Sequence, residues 1–131
     1  MMTNRKEFGA ITLCIILLTG TSIFLLTGGV NAESPSYVWV DDDFTSSTSG
    51  WGTTHFDTIQ NGVDAVAEDG TVYVYAGTYE ENVVIERSLN LEGEDSNTTT
   101  LMGSGSGSGI YSNGIHGISI KNIFIQNYSI G

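Results

Sequence analysis

The stretch Asp69–Glu94, DGTVYVYAGTYEENVVIERSLNLEGE, decides how this chain folds. Val72/Val74, Val83/Ile85 and Leu89/Leu91 alternate with polar or aromatic neighbours, the period of two that marks a half-buried strand. Each alternating pair sits in a very short segment, with bends expected at Gly77-Thr78, Arg87-Ser88 and Gly93 to Asn97. The pattern returns at Ile118/Ile120 and Ile123/Ile125, bounded by Gly114 and Lys121-Asn122. A β-sandwich would use longer strands joined by regularly spaced Asn-Gly hairpin turns. Asn-Gly occurs here only at Asn61-Gly62 and Asn113-Gly114. Short strands that bend every few residues instead predict a parallel solenoid, whose stacked coils bury an inward-facing apolar ladder.

Immediately upstream the period changes. Phe56, Ile59, Val63 and Val66 recur three or four residues apart, which predicts a helix over Phe56 to Asp69. Asp57 with Gln60 resembles a capping box at its start, and Asp69-Gly70 supplies a stop. Such a helix, placed directly before the first coil, can cover the open end of a solenoid. Before it, Tyr37 to Val40 reads as a strand that ends at Asp41-Asp42-Asp43, and Thr45 to Gly52 (TSSTSGWG) as a loop. The run MGSGSGSG (Met102 to Gly109) has linker composition, but the pieces on either side are too small to fold alone. It is expected to protrude as a loop between coils.

The first 32 residues carry a different message. Arg5 and Lys6 precede an apolar stretch from Ala10 to Leu26, and Val30-Asn31-Ala32 places small residues where a signal peptidase cuts. Residues 1–32 are therefore expected to be a signal peptide, with an uncleaved membrane anchor as the competing reading. The exported part, residues 33–131, is an extracellular or cell-surface segment on this reading. Cys14, the single cysteine, lies in the leader, so the exported part can form neither disulfides nor cysteine-ligated metal centres. The chain carries a net charge of −11, and because Arg5, Lys6 and Glu7 belong to the leader, residues 33–131 carry −12. That charge repels nucleic acid and anionic lipid, so neither is expected as a partner, and membrane contact is expected only through an uncleaved leader.

FxTIQxxVDA (Phe56 to Ala65), DGTVYVxAGTYxENV (Asp69 to Val83) and LxLEGE (Leu89 to Glu94) together resemble the N-terminal portion of the right-handed parallel β-helix, or pectin lyase-like, superfamily. Within it, the closest likeness is to pectinesterase-like openings and to β-helix surface proteins of archaea and bacteria. GISIKNIFIQN (Gly117 to Asn127) is similar to a generic coil of such proteins. The resemblance implies an all-β solenoid of about three coils, capped by one N-terminal helix. It does not carry the family's chemistry, because the catalytic aspartates, the oxyanion-stabilising glutamine and the lyase base of these enzymes come from later coils. Residues 33–131 are accordingly expected to be the cap and first coils of a β-helix incomplete at its C-terminus. Two functional readings follow. One is a non-catalytic scaffold or carbohydrate- or surface-interaction module, with polysaccharide or cell-surface components as partners. The alternative is a truncated pectin methylesterase or pectate/pectin lyase whose active-site coils are missing.

The site candidates are few, and no residue is assigned a catalytic role. Asp41 and Asp43 could serve calcium, the one cofactor considered, if the strand continues through them and leaves both on one face. Three adjacent carboxylates on extended backbone point to alternate faces and do not converge without a tight turn, so a solvated strand end is the plainer reading. Trp39, Trp51, Tyr73, Tyr75 and Tyr79 are candidates for an aromatic platform for sugar rings, with Tyr73 and Tyr75 on the outward face when Val72 and Val74 point inward; ordinary strand packing is the plainer reading. Asn97-Thr98-Thr99 and Asn127-Tyr128-Ser129 match the N-glycosylation triplet. His55 and His116 stand alone in sequence, and Glu80, Glu81 and Glu86 fall in the structural words of the first coil.

Overall fold

A computed structural model of the chain describes residues 10–15, 24–29 and 32–128. It divides into two compact units, Met1–Glu33 and Ser34–Gly131. In the first, β1 (Ala10–Ile15) and β2 (Phe24–Gly29) pair antiparallel, with Ala10 beside Gly29 and Ile15 beside Phe24. The basic Arg5-Lys6 pair and Val30-Asn31 of the expected cleavage site lie outside the described residues. No described helix is long and apolar enough to cross a membrane.

The second unit is built from β3 (Tyr37–Val40), β4 (His55–Phe56), α1 (Ile59–Ala65), β5 (Gly70–Val74), β6 (Gly77–Glu80), β7 (Val83–Ile85), β8 (Leu89–Gly93), β9 (Thr99–Met102), β10 (Ile110–Ser112), β11 (Ile118–Lys121) and β12 (Phe124–Gln126). Its strands form three sheets, ordered β11-β8-β5-β3-β4, β12-β9-β6 and β10-β7, and every pairing within them is parallel. The consecutive strands β5, β6 and β7 go to three different sheets. Strands β8, β9 and β10 repeat the same rotation, and β11 and β12 begin it again. Parallel neighbours need a long crossover, usually a helix. Here the crossover of each sheet is made by the strands of the other two.

The period-two pattern determines which residues meet inside. Val38 lies beside Val72, Val72 beside Leu91, and Leu91 beside Ile120, so one side chain of each successive strand stacks in a row. A second row runs from Tyr79 through Leu101 to Ile125. Val38, Val72, Leu91 and Leu101 are wholly buried. Gly93 ends the row that begins with Val40 and Val74, and a Cβ there would collide with the Asn122 carbonyl oxygen as the next round passes over it. The bends use left-handed backbone at Asp69, Asn122 and Asn127, with φ of 60°, 56° and 61°. Asn and Asp tolerate that region better than other residues with a Cβ.

Four expectations are corrected: the start of the helix, its N-cap, its stop and the bend at Gly77-Thr78. The helix is shorter than Phe56 to Asp69, because Phe56 stays extended in β4, where its carbonyl accepts the Asp41 N–H at 3.0 Å. Its N-cap is Thr58 rather than Asp57: the Thr58 hydroxyl accepts from the Asn61 N–H at 3.3 Å. It ends at Val66, whose ψ of 145° returns the chain to extended form before Asp69-Gly70 is reached. Gly77-Thr78 is part of β6 and not a bend; the turn falls at Tyr75-Ala76. Thr99–Met102 and Ile110–Ser112, which show no Val/Ile/Leu pair at period two, are strands because Thr99 takes an inward position beside Leu101 and Ile110 lies in register with Val83.

The glycine/serine run forms an exposed loop, Ser104 to Ser108, but it joins β9 to β10 within one rotation through the three sheets rather than lying between two rotations. Its base is held, since the N–H groups of Gly103 and Gly105 donate to the carbonyls of Gln126 and Asn127, each at 3.0 Å.

Candidate functional site

Alternation puts one side chain per strand on the outward face of the five-stranded sheet. Because the strands are parallel and in register, those side chains form rows across it. One row runs His55, Trp39, Tyr73, Glu92, Lys121, each beside the next across β4, β3, β5, β8 and β11. Tyr73 is therefore outward, as expected, with Val72 and Val74 buried on either side of it. Tyr75 follows directly after β5 and meets Tyr73 edge to face at 5.2 Å.

The aromatic half of this face is continuous. Trp39 stacks on His55 at 5.0 Å with planes 17° apart and meets Tyr37 at 4.8 Å. Phe44 closes the group, 5.1 Å from His55 and 6.0 Å from Tyr75. Of the platform residues expected from sequence, Trp39, Tyr73 and Tyr75 join this group. Tyr79 is instead buried in the core, because its side chain lies on the inward row beside Leu101, and Phe44, His55 and Tyr37 were not assigned to the face. The loop from Asp41 to Thr54 brings Phe44 and His55 there, and no local periodicity reports that. His55 is thereby a packing residue, its Nδ1 held by the Thr54 hydroxyl at 3.0 Å.

Carboxylates border the aromatics. Burial and the charges of Glu94 and Glu92 raise the Tyr73 phenol above its ordinary pKa, and burial with Glu92 raises that of Tyr37. The Glu94 carboxylate also accepts the Ala76 N–H at 2.9 Å, bracing the turn after β5. Only the Trp39 and His55 rings stack, the other pairs meeting tilted or edge to face, and the group carries the phenol hydroxyls of Tyr37, Tyr73 and Tyr75 beside the Glu92 and Glu94 carboxylates. That set suits hydrogen bonding to hydroxyl-rich surfaces at neutral pH and disfavours anions.

The Asp triplet adopts a geometry that extended backbone would not allow. Strand β3 ends at Val40, and a turn closes with the Phe44 N–H on the Asp41 carbonyl at 3.0 Å and the Asp43 N–H on Asp41 Oδ1, also at 3.0 Å. Carboxylate oxygens of Asp41, Asp42 and Asp43 come within 4.8 Å of one another. The tight turn that calcium would require is thus present, and it adds Asp42 to the Asp41 and Asp43 pair. Asp42 leans over β6, where a Cβ on Gly77 would lie 2.7 Å from its Oδ1.

Glu81, between β6 and β7, has a structural partner. Glu81 places one carboxylate oxygen on the Ile59 N–H and the other on the Gln60 N–H, both at 2.8 Å, satisfying two free donors at the start of α1. A cleft of ≈ 430 Å3 lies beside it, lined in part by Glu80, Asn82, Met102, Ser104 and Asn127. Asn127 donates its amide to the Gly103 carbonyl at 2.8 Å, while Asn97 is exposed on the turn before β9 with its amide on Asp95 Oδ1 at 2.8 Å. Both Asn97 and Asn127 are exposed residues, and Ser129 of the second triplet lies outside the described residues. Comparison with protein-family models, with curated proteins and with solved structures finds no match.

Proposed function

We propose that the unit beginning at Ser34 is the capped N-terminal end of a right-handed parallel β-helix, exported by the leader. In this reading it is a non-catalytic scaffold whose outward face contacts polysaccharide or other hydroxyl-rich surface components. The observation that carries it is the rotation of successive strands through three parallel sheets, with inward rows of Val, Leu and Ile. Three rounds are then β5–β7, β8–β10 and β11–β12, with α1 packed at the start. Right-handedness follows from the strong preference of parallel crossovers within one sheet. The resemblance of Phe56 to Gly103 to pectin lyase-like openings supports the same reading.

Charge chooses among polysaccharides. Residues 33–131 carry −12, and Glu92 and Glu94 border the aromatic face, so neutral chains suit it better than polyuronates. Retention of the purified chain on an insoluble neutral polysaccharide, reduced by a Tyr73→Ala/Tyr75→Ala double variant that still melts cooperatively, is the expected result. Release of methanol from pectin, or of unsaturated uronides, would overturn the non-catalytic reading.

A further inference from the structure

The cleft beside Glu81 is walled by two connections that run between the same two sheets. β6 passes to β7 through Glu81 and Asn82, and β9 passes to β10 through the exposed glycine/serine loop. Glu80 and Met102 lie side by side in register where the two connections begin. Glu80, Glu81 and Asn82 line the cleft from the first connection, Met102, Gly103 and Ser104 from the second, and Asn127 from the turn after β12. β9 is the middle strand of its sheet, flanked by β6 and β12, so the wall made by Met102, Gly103 and Ser104 lies within the strand stack.

These walls are held in place. The Glu81 carboxylate is committed to the Ile59 and Gln60 N–H groups, both at 2.8 Å. The Tyr128 hydroxyl donates to the Glu81 carbonyl, and its ring lies against Gly103 and Gly109, where an added Cβ would collide with it. Asn127 gives its amide nitrogen to the Gly103 carbonyl at 2.8 Å, which leaves its side-chain oxygen as the acceptor on offer. The middle of the loop returns to Asn82: at Gly107, with φ of 77°, a Cβ would lie 3.1 Å from Asn82 Nδ2. Glu80 alternates with the buried Tyr79, so its carboxylate points away from the core.

The chemistry of the lining is one-sided. Among the described residues no Lys or Arg lines the cleft. The Glu80 carboxylate can only accept, and the oxygens of Asn82, Asn127 and Ser104 add further acceptors. A complementary ligand is positively charged and rich in donors. The cleft of ≈ 430 Å3 is far larger than a bare ion and falls within the range of about 300–1,000 Å3 that small-molecule sites occupy. Met102 supplies an adaptable apolar surface for a carbon skeleton. The charge of −12 over residues 33–131 further favours a cation. We propose that this cleft binds a small primary amine bearing hydroxyl groups, the chemistry of an amino sugar, with its ammonium on Glu80 and its hydroxyls on Asn82, Ser104 and Asn127. The inference is independent of what the aromatic face binds.

Isothermal titration of the full chain at fixed ionic strength tests it, with glucosamine, glucose, glucuronate and ethylamine as probes. Glucosamine is expected to saturate one site, glucose and ethylamine to bind more weakly, and glucuronate not to bind. Glu80→Gln is expected to weaken glucosamine by about tenfold, the loss of one charge-assisted contact, and Asn82→Ala by about threefold. Both side chains are exposed, so an unchanged melting temperature is expected for each variant. Glu86→Gln removes the same charge from an exposed position outside the cleft and should leave binding unchanged, as should Tyr73→Ala/Tyr75→Ala on the aromatic face. Absence of saturable glucosamine binding, equal binding of glucose, ethylamine or glucuronate, or a loss as large with Glu86→Gln as with Glu80→Gln would each overturn the proposal.

Discussion

Gln60 holds the backbone of Val84 as a neighbouring strand would: its amide oxygen accepts the Val84 N–H at 2.7 Å and its amide nitrogen donates to the Val84 carbonyl at 3.1 Å. A side chain on α1 thereby satisfies both backbone groups of Val84 on the edge of β7. The Gln60 nitrogen also reaches Asp64 Oδ1 at 2.8 Å, which orients the amide from within the helix. Gln60→Leu keeps the volume and loses both bonds. Because Val84 is exposed and water can replace part of the loss, a destabilisation of about 1–2 kcal/mol is expected by chemical denaturation.

Glu81 anchors the same helix from the other side of the turn. Its two charge-assisted bonds to Ile59 and Gln60 sit at the positive end of α1. Glu81→Gln keeps one acceptor oxygen and loses the charge, so a cost of about 1 kcal/mol is expected, which corresponds to about 4–8 °C in Tm for a domain of this size. An unchanged melt would show that the carboxylate contributes nothing as a cap.

Gly62 looks like a defect in the middle of a helix, where Ala is favoured by about 1 kcal/mol. A Cβ at this position would lie 2.7 Å from Val40 Cγ2 and 3.1 Å from Val72 Cγ1. Close approach of helix and strands therefore outweighs propensity. Gly62→Ala is expected to destabilise by about 1–3 kcal/mol through overpacking, and stabilisation of the variant would contradict this packing.

Val66, wholly buried at the end of α1, tests the cap as a whole. Val66→Asp would place a carboxylate among buried apolar side chains; Arg87, whose Nη1 donates to the Val66 carbonyl at 2.8 Å, is near enough to offset part of the charge, so the full cost of an unpaired buried charge is an upper bound. A loss of up to about 3–5 kcal/mol is expected in thermal or urea melts. A variant that melts like the parent would refute the cap.

The Tyr79 phenol is 3 % exposed and donates to the Tyr75 carbonyl at 3.1 Å. Burial, and then the charges of Asp42 and Asp41, push its pKa well above the ordinary 10.0. An acid whose folded-state pKa lies above its unfolded value favours the fold while protonated, so this contribution is full below about pH 10 and is lost as pH rises through the raised pKa. Unfolding free energy measured from pH 8 to 12 should fall at the alkaline end. Tyr79→Phe should flatten that fall without abolishing it, because Tyr37, Tyr73 and Tyr128 are also raised.

Much of the architecture could be read from residues a few positions apart. The alternation at Val72/Val74, Val83/Ile85 and Leu89/Leu91 names the inward face directly, because a strand's side chains alternate whatever lies next to it. The same logic put Tyr73 outward. The helix was legible by its spacing but not by its ends: Phe56 fits the helical period equally well while its carbonyl is engaged by the N–H of Asp41, just past the end of β3. Strand β9 was obscured because Thr99 occupies a core position, its hydroxyl directed at the Tyr75 carbonyl 3.5 Å away.

The sequence by itself determined strand class, the inward apolar set, the presence of one short helix, the protruding glycine/serine loop and an acid charge confined to residues before Ser96. These are local or additive properties, and neighbours along the chain report them. Only the tertiary structure decided that Gln60 pairs with Val84, that Glu81 caps α1, that Asp41, Asp42 and Asp43 converge, and that Phe44 and His55 join Trp39 and Tyr73 on one face. Each of these depends on which residues of successive rounds come into register, and register is set by the lengths and turns of the loops between strands, which period-two alternation does not encode.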